Sequence, residues 1–100
     1  MYDSLKQRGH RLIDEFMDFK MDRPFQLNIE SIYQVIDKIE SMGYDLSYNY
    51  DGRKYFYCFK MSDVDCGSYR HKSRIEALYL TLLFFINGYN AKNHPDRRWR

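Results

Sequence analysis

Long apolar runs, proline, tryptophan and cysteine are all scarce in this 100-residue chain, and each scarcity excludes something. The longest uninterrupted apolar stretch, Leu82–Ile86, falls far short of the roughly 20 residues that span a bilayer, so no membrane association is expected. Met1–Leu12 mixes charge throughout and lacks the apolar segment of a secretion signal, which predicts a cytoplasmic protein. The two cysteines, Cys58 and Cys66, have no C-x-x-C spacing and read as idle thiols in a reducing compartment.

Chemistry-bearing motifs are equally sparse. His10, His71 and His94 have no H-x₃-H partner, and Asp63-Val64-Asp65 lacks the later Gly and Glu of a calcium loop. No G-x-S-x-G elbow is present, and Cys66-Gly67-Ser68 lacks the spacing of a phosphate-cradling loop. The expectation is no metal, no cofactor and no enzymatic activity.

What the chain does have is aromatic rings: ten Tyr and seven Phe. Each can bury about 150–250 Å² while a tyrosine keeps its hydroxyl wet, so they suit both a dense core and a contact surface. Net charge is only +2, but it is unevenly spread. Residues 1–51 hold six Lys/Arg against ten Asp/Glu, and residues 52–100 hold ten against four. Such asymmetry can dock two subunits or one charged partner, or both halves can simply face solvent.

Hydrophobic periodicity gives the elements. Residues 3–21 carry a helical stripe through Leu12, Phe16 and Phe19, ended by Arg23-Pro24, with Gly9 costing about 1 kcal/mol relative to Ala. A second helix is predicted over 29–42: Asn28 is its N-cap, Leu27 and Ile32 form a staple, and Gly43 follows its end. The period then changes to 2. Tyr44–Tyr50 alternates, Asp51-Gly52 reads as a two-residue type I′ turn, and Lys54–Met61 returns. That turn would place 48 opposite 55 and 46 opposite 57, gathering Tyr44, Leu46, Tyr48, Tyr50, Tyr55, Tyr57 and Phe59 on one face. Ser62–Ser68 reads as a polar loop and Tyr69–Lys72 as a short third strand.

Ser73 and Glu76 form a capping box opening a third helix, which Asn87-Gly88 should stop. That helix is apolar nearly all round, so it should be covered on more than one side, by the first helix or by a second copy of the chain. The result is an α+β fold: two N-terminal helices, an antiparallel hairpin or three strands, and a C-terminal helix on the sheet. The domain should occupy residues 1–89, with 90–100 a flexible basic tail ending Arg97-Arg98-Trp99-Arg100.

Two groups of residues are candidates for binding. Tyr48, Tyr50, Arg53, Lys54 and Tyr55 stand at the hairpin tip, where the core is thinnest; Arg70, His71, Lys72 and Arg74 cluster before the third helix. Tyr and Arg dominate binding hot spots, and basic residues among aromatic rings also suit stacking on single-stranded bases. Rings consumed by the core would be lost to both roles.

Residues 28–89 run helix, Met42-Gly43-Tyr44, two aromatic strands, a polar loop and a capped apolar helix containing Glu76-Ala77-Leu78. This layout resembles the small "ABA sandwich" proteins encoded by bacteriophages. The resemblance implies a phage or mobile-element origin and an accessory role that inhibits or modulates a host defence complex, as anti-CRISPR proteins do; it supplies no site residues. The leading expectation is thus a non-enzymatic binding protein, self-associating as a homodimer, whose partner is a host protein or protein–nucleic acid complex. The alternative is a module binding single-stranded nucleic acid through the basic, aromatic hairpin.

Overall fold

The computed structural model describes residues 2–97, and its elements are α1 (Tyr2–Phe16), α2 (Ile29–Ser41), β1 (Asp45–Tyr50), β2 (Tyr55–Met61), β3 (Val64–His71), α3 (Arg74–Asn93) and a closing 3-10 turn (Pro95–Arg97). The strands form one antiparallel sheet in the order β1-β2-β3. Helix α3 lies across β2 and β3, α2 lies over β1, and α1 packs on α3. The opposite sheet face, with Asp45, Asn49, Lys60 and Arg70, is left to solvent, as antiparallel sheets permit. The α+β architecture with a C-terminal helix on the sheet is therefore as the sequence predicts.

Helix α1 ends five residues earlier than its stripe suggests. Asp18 and Phe19 adopt left-handed φ of 56° and 54°, and their N–H groups bond back to the Glu15 and Asp14 carbonyls. The Lys38 ammonium of α2 caps the Phe16 carbonyl. The turn throws Phe19 outward, 70% exposed, while Leu12, Ile13 and Phe16 stay buried. Phe25 then returns to the core: its N–H donates to the Asp14 carboxylate at 2.8 Å, and its ring stacks on Tyr79 at 5.8 Å. Gly9 has a packing reason. A Cβ there would lie 2.1 Å from the Tyr79 hydroxyl, which reaches past it to donate to the Lys6 carbonyl at 3.2 Å.

Helix α2 follows its sequence signals. The Asn28 side chain accepts from the Ser31 N–H at 2.9 Å, worth about 1 kcal/mol, and Gly43 takes a φ of 100° past the C-terminus. Ile32, Val35, Ile36 and Ile39 are its buried stripe.

The hairpin register differs from the expectation by two residues. Tyr50 pairs with Tyr55, Tyr48 with Tyr57 and Leu46 with Phe59, leaving a four-residue loop over 51–54. Only Gly52 in that loop has positive φ, so the type I′ geometry is not met. Instead the Asp51 carboxylate accepts from the Arg53 and Lys54 N–H groups, each at 2.9 Å. Because side chains alternate with period two, a two-residue slip leaves every ring on its expected face.

The turn with two left-handed residues lies further on, at Ser62 and Asp63 (φ 51° and 64°), where Met61 pairs with Val64. The polar loop expected over 62–68 is therefore mostly strand. Its register breaks between Phe59 and Lys60, leaving Cys66 unopposed as a bulge, and the Asp65 carboxylate closes it by accepting from the Gly67 N–H and Ser68 hydroxyl. At Gly67 the sheet touches α3 directly: a Cβ there would lie 2.6 Å from the Phe85 Cα.

Helix α3 does not stop at Asn87-Gly88 but runs to Asn93. Tyr89 packs edge-on against Phe16 at 5.7 Å, and buried Asn90 donates through its side chain to the Arg97 carbonyl at 3.4 Å. These contacts outweigh the ~1 kcal/mol that glycine costs inside a helix. The tail expected from residue 90 thus carries the last turn of α3 and the 3-10 turn as far as Arg97; Arg98, Trp99 and Arg100 lie outside the described residues. The apolar circumference of α3 is covered in part within the chain, by the sheet on one side and by Leu12, Ile13 and Phe16 of α1 on the other, while Phe84 stays 53% exposed. Among the described residues, no helix is long and apolar enough to cross a membrane.

Candidate binding surface at the hairpin tip

The β-ladder decides which candidate residues meet. Tyr50 pairs with Tyr55, and Tyr55 in turn with His71; Phe56 pairs with Arg70. The tip of the first hairpin, the end of β3 and the start of α3 thus share one end of the molecule. The two groups that were separate in sequence, Tyr48–Tyr55 and Arg70–Arg74, come together at this end. Arg53, Lys54, Lys72 and Arg74 are exposed there, while Arg70 is exposed on the opposite sheet face from the tyrosines.

The rings form a ladder along the helix-bearing face. Tyr50 and Tyr55 lie 4.6 Å apart between centroids, Tyr48 and Tyr55 6.3 Å, and Tyr48 and Tyr57 5.0 Å. Burial grades along it. Tyr57 is 4% exposed, whereas Tyr48 and Tyr50 are 51% and 48% exposed, with Tyr55 between. Tyr48 and Tyr57 are direct cross-strand partners, so the hairpin face is core along the central strand β2 and open ring along the edge strand β1.

Arg74, the first residue of α3, bridges the two regimes. Its Nε donates to the Tyr57 hydroxyl at 2.8 Å, and its guanidinium lies 5.6 Å from the centre of the Tyr48 ring. Burial pushes the Tyr57 phenol above its ordinary value, against the pull of Arg74, so it stays a neutral acceptor; the same bond holds Arg74 more firmly charged. Tyr33 of α2, 47% exposed, lies near Tyr57 and Arg74 and belongs to the surface. It is absent from the candidate binding residues read from the sequence. The signal that could have found it is its place off the buried stripe Ile32, Val35, Ile36 and Ile39.

Two residues prove to be structural. His71 accepts the Ser73 N–H on Nδ1 at 2.9 Å, so it caps α3. Glu76 does not complete the capping box: the Ser73 Oγ accepts from its N–H at 3.4 Å, but its carboxylate binds the Lys6 ammonium at 2.7 Å. Asp51, the one acidic residue at the tip, is held below the usual carboxylate range by the Lys54 and Arg53 N–H groups. On the solvent face Arg70 stacks over Phe56 at 5.1 Å.

Potential nucleophiles and bases elsewhere are tied down. Cys58 is buried, and burial together with nearby Asp65 pushes its thiol up, away from the reactive thiolate. His10 lies against Tyr79 and Phe25, with Nδ1 3.0 Å from the Tyr79 hydroxyl. Among the described residues, no three or more His, Cys, Asp or Glu are grouped to hold a metal ion. Comparison of the chain with protein-family models, with curated proteins and with solved structures finds no match.

Proposed function

We propose that this chain is a non-enzymatic binding protein that docks through its basic, tyrosine-rich end onto the anionic surface of a macromolecular partner. The observation that carries this reading is the convergence of Arg53, Lys54, Lys72 and Arg74 with the half-exposed rings of Tyr48 and Tyr50 at one end of the sheet. Exposed tyrosines and arginines concentrate binding energy, and an electropositive end accelerates and orients encounter with an acidic surface. The commitment of His71, His10 and Cys58 to structural contacts supports binding rather than catalysis. The partner class implied by the phage-protein resemblance is a host defence complex, a protein or protein–nucleic acid assembly.

The test is capture of partners by the full chain from nuclease-treated host extract, alongside the triple variant Arg53→Glu, Lys54→Glu, Lys72→Glu. All three side chains are exposed, so the variant should fold. A partner retained by the parent and lost by the variant is the expected result. Equal retention by both would overturn the docking end.

A further inference from the structure

Building on that docking surface, we infer that the ligand it takes is a single-stranded nucleic acid, with bases stacked on the outer rungs of the tyrosine ladder and phosphates running along the surrounding cations. An acidic protein surface would be satisfied by the cations alone. What the geometry adds is a row of ring faces. Tyr48 and Tyr50 each leave about half their surface open, in a ladder whose neighbouring rings stand 4.6–6.3 Å apart. Open rings within a basic surface are the elements of sequence-tolerant single-strand binding, because every base offers a π-face and every nucleotide a phosphate.

The cations are distributed as a backbone requires. Arg74 stands on the helix side of the ladder, Arg53 and Lys54 beyond its tip, and Lys72 between the end of β3 and α3; Arg70 lies on the opposite sheet face and is not part of the track. Of the carboxylates on these same segments only Asp51 opposes phosphate, and the surrounding cations outnumber it. Asp51 accepts the Arg53 and Lys54 N–H groups, and Glu76 is paired with Lys6. Duplex DNA would keep its bases stacked within the helix and leave the rings unused, so the arrangement favours single strands.

Fluorescence anisotropy of the full chain tests this with labelled oligothymidylate and oligouridylate of on the order of ten nucleotides, and with a duplex of equal length. Both single strands should bind at low salt, more tightly than the duplex. Affinity should fall steeply with salt, and Arg53→Gln or Lys72→Gln should flatten the log–log slope by roughly 0.7 for each lost phosphate contact. Tyr48→Ala and Tyr50→Ala should each weaken binding roughly five- to hundredfold. Should a tyrosine variant unfold, quenching of the parent chain's tyrosine fluorescence by the oligonucleotide serves in its place.

No single-strand binding at low salt, equal or tighter binding of duplex, or no quenching at saturation would each overturn the inference. Failure here is distinguishable from failure of the docking surface. If the chain binds no oligonucleotide but captures a protein that the charge-reversed triple variant loses, only the ligand class is wrong. If the triple variant keeps that partner, the docking end falls as well.

Discussion

On the helix-bearing sheet face, Phe59 and Tyr57 of the central strand β2 are sealed beneath α3, whereas Tyr48 and Tyr50 of the edge strand β1, which α3 does not overlie, leave half their surface in water. Residue type, strand geometry and face are shared, so none of them sets the difference. Cover does. Phe59 pairs with Gly67, where the α3 backbone rests directly on the sheet. Tyr50 pairs with Tyr55 on the rung next to His71, beyond the first residue of α3. An alternating aromatic strand therefore specifies a face, and the reach of the overlying helix decides how much of that face becomes core.

The sharpest way to break this comparison is to truncate one ring on each strand. Phe59→Ala should destabilise by about 3–5 kcal/mol, the usual cost of emptying a buried phenylalanine site, whereas Tyr50→Ala should cost about 1 kcal/mol or less. Urea midpoints of the two variants measure the contrast directly. Next in size is Gly67→Ala, whose new methyl would meet the α3 backbone at Phe85; overpacking of this kind costs about 1–3 kcal/mol. Its effect should extend to the near-ultraviolet signal of the aromatic core, since α3 must lift from the sheet. Ser73→Ala removes the acceptor for the Glu76 N–H and should cost about 1 kcal/mol, seen as faster amide exchange in the first turn of α3.

The smallest expected effect is carried by pH. Burial first, then the Lys6 ammonium, lower the His10 pKa from its ordinary 6.5, while Asp14 pulls the other way. A histidine depressed in the folded state binds fewer protons there than in the unfolded chain. Stability should thus be full above about pH 6.5 and decline as pH falls through the lower folded value. The thermal midpoint of His10→Gln across that window should lack this slope.

Local chemistry made much of the fold readable. Asn28, Gly43 and Ser73 act as the caps their positions suggest, and strict alternation put every hairpin ring on its face even though the register lies two residues away. Long-range contacts caused the errors. The early end of α1 depends on Lys38 and on the return of Phe25, and the passage of α3 through Gly88 depends on Tyr89 meeting Phe16. The Ser62–Asp63 turn escaped because neither residue is the glycine that usually marks left-handed geometry. The candidate surface was half legible. Its residues were visible, but their union needed the β2–β3 ladder, and the role of His71 as a cap needed coordinates.

The Tyr79 hydroxyl passing over Gly9 to the Lys6 carbonyl also bears on how the chain is made. Its partners are 73 residues apart, and the Lys6–Glu76 ion pair beside it spans 70. Synthesis delivers α1 first, with Leu12, Ile13 and Phe16 ready for a core that does not yet exist. Phe25 and Lys38 reach it earlier, but its main packing partner α3 is not made until the ribosome has passed Tyr79, so its apolar stripe stays largely uncovered until then.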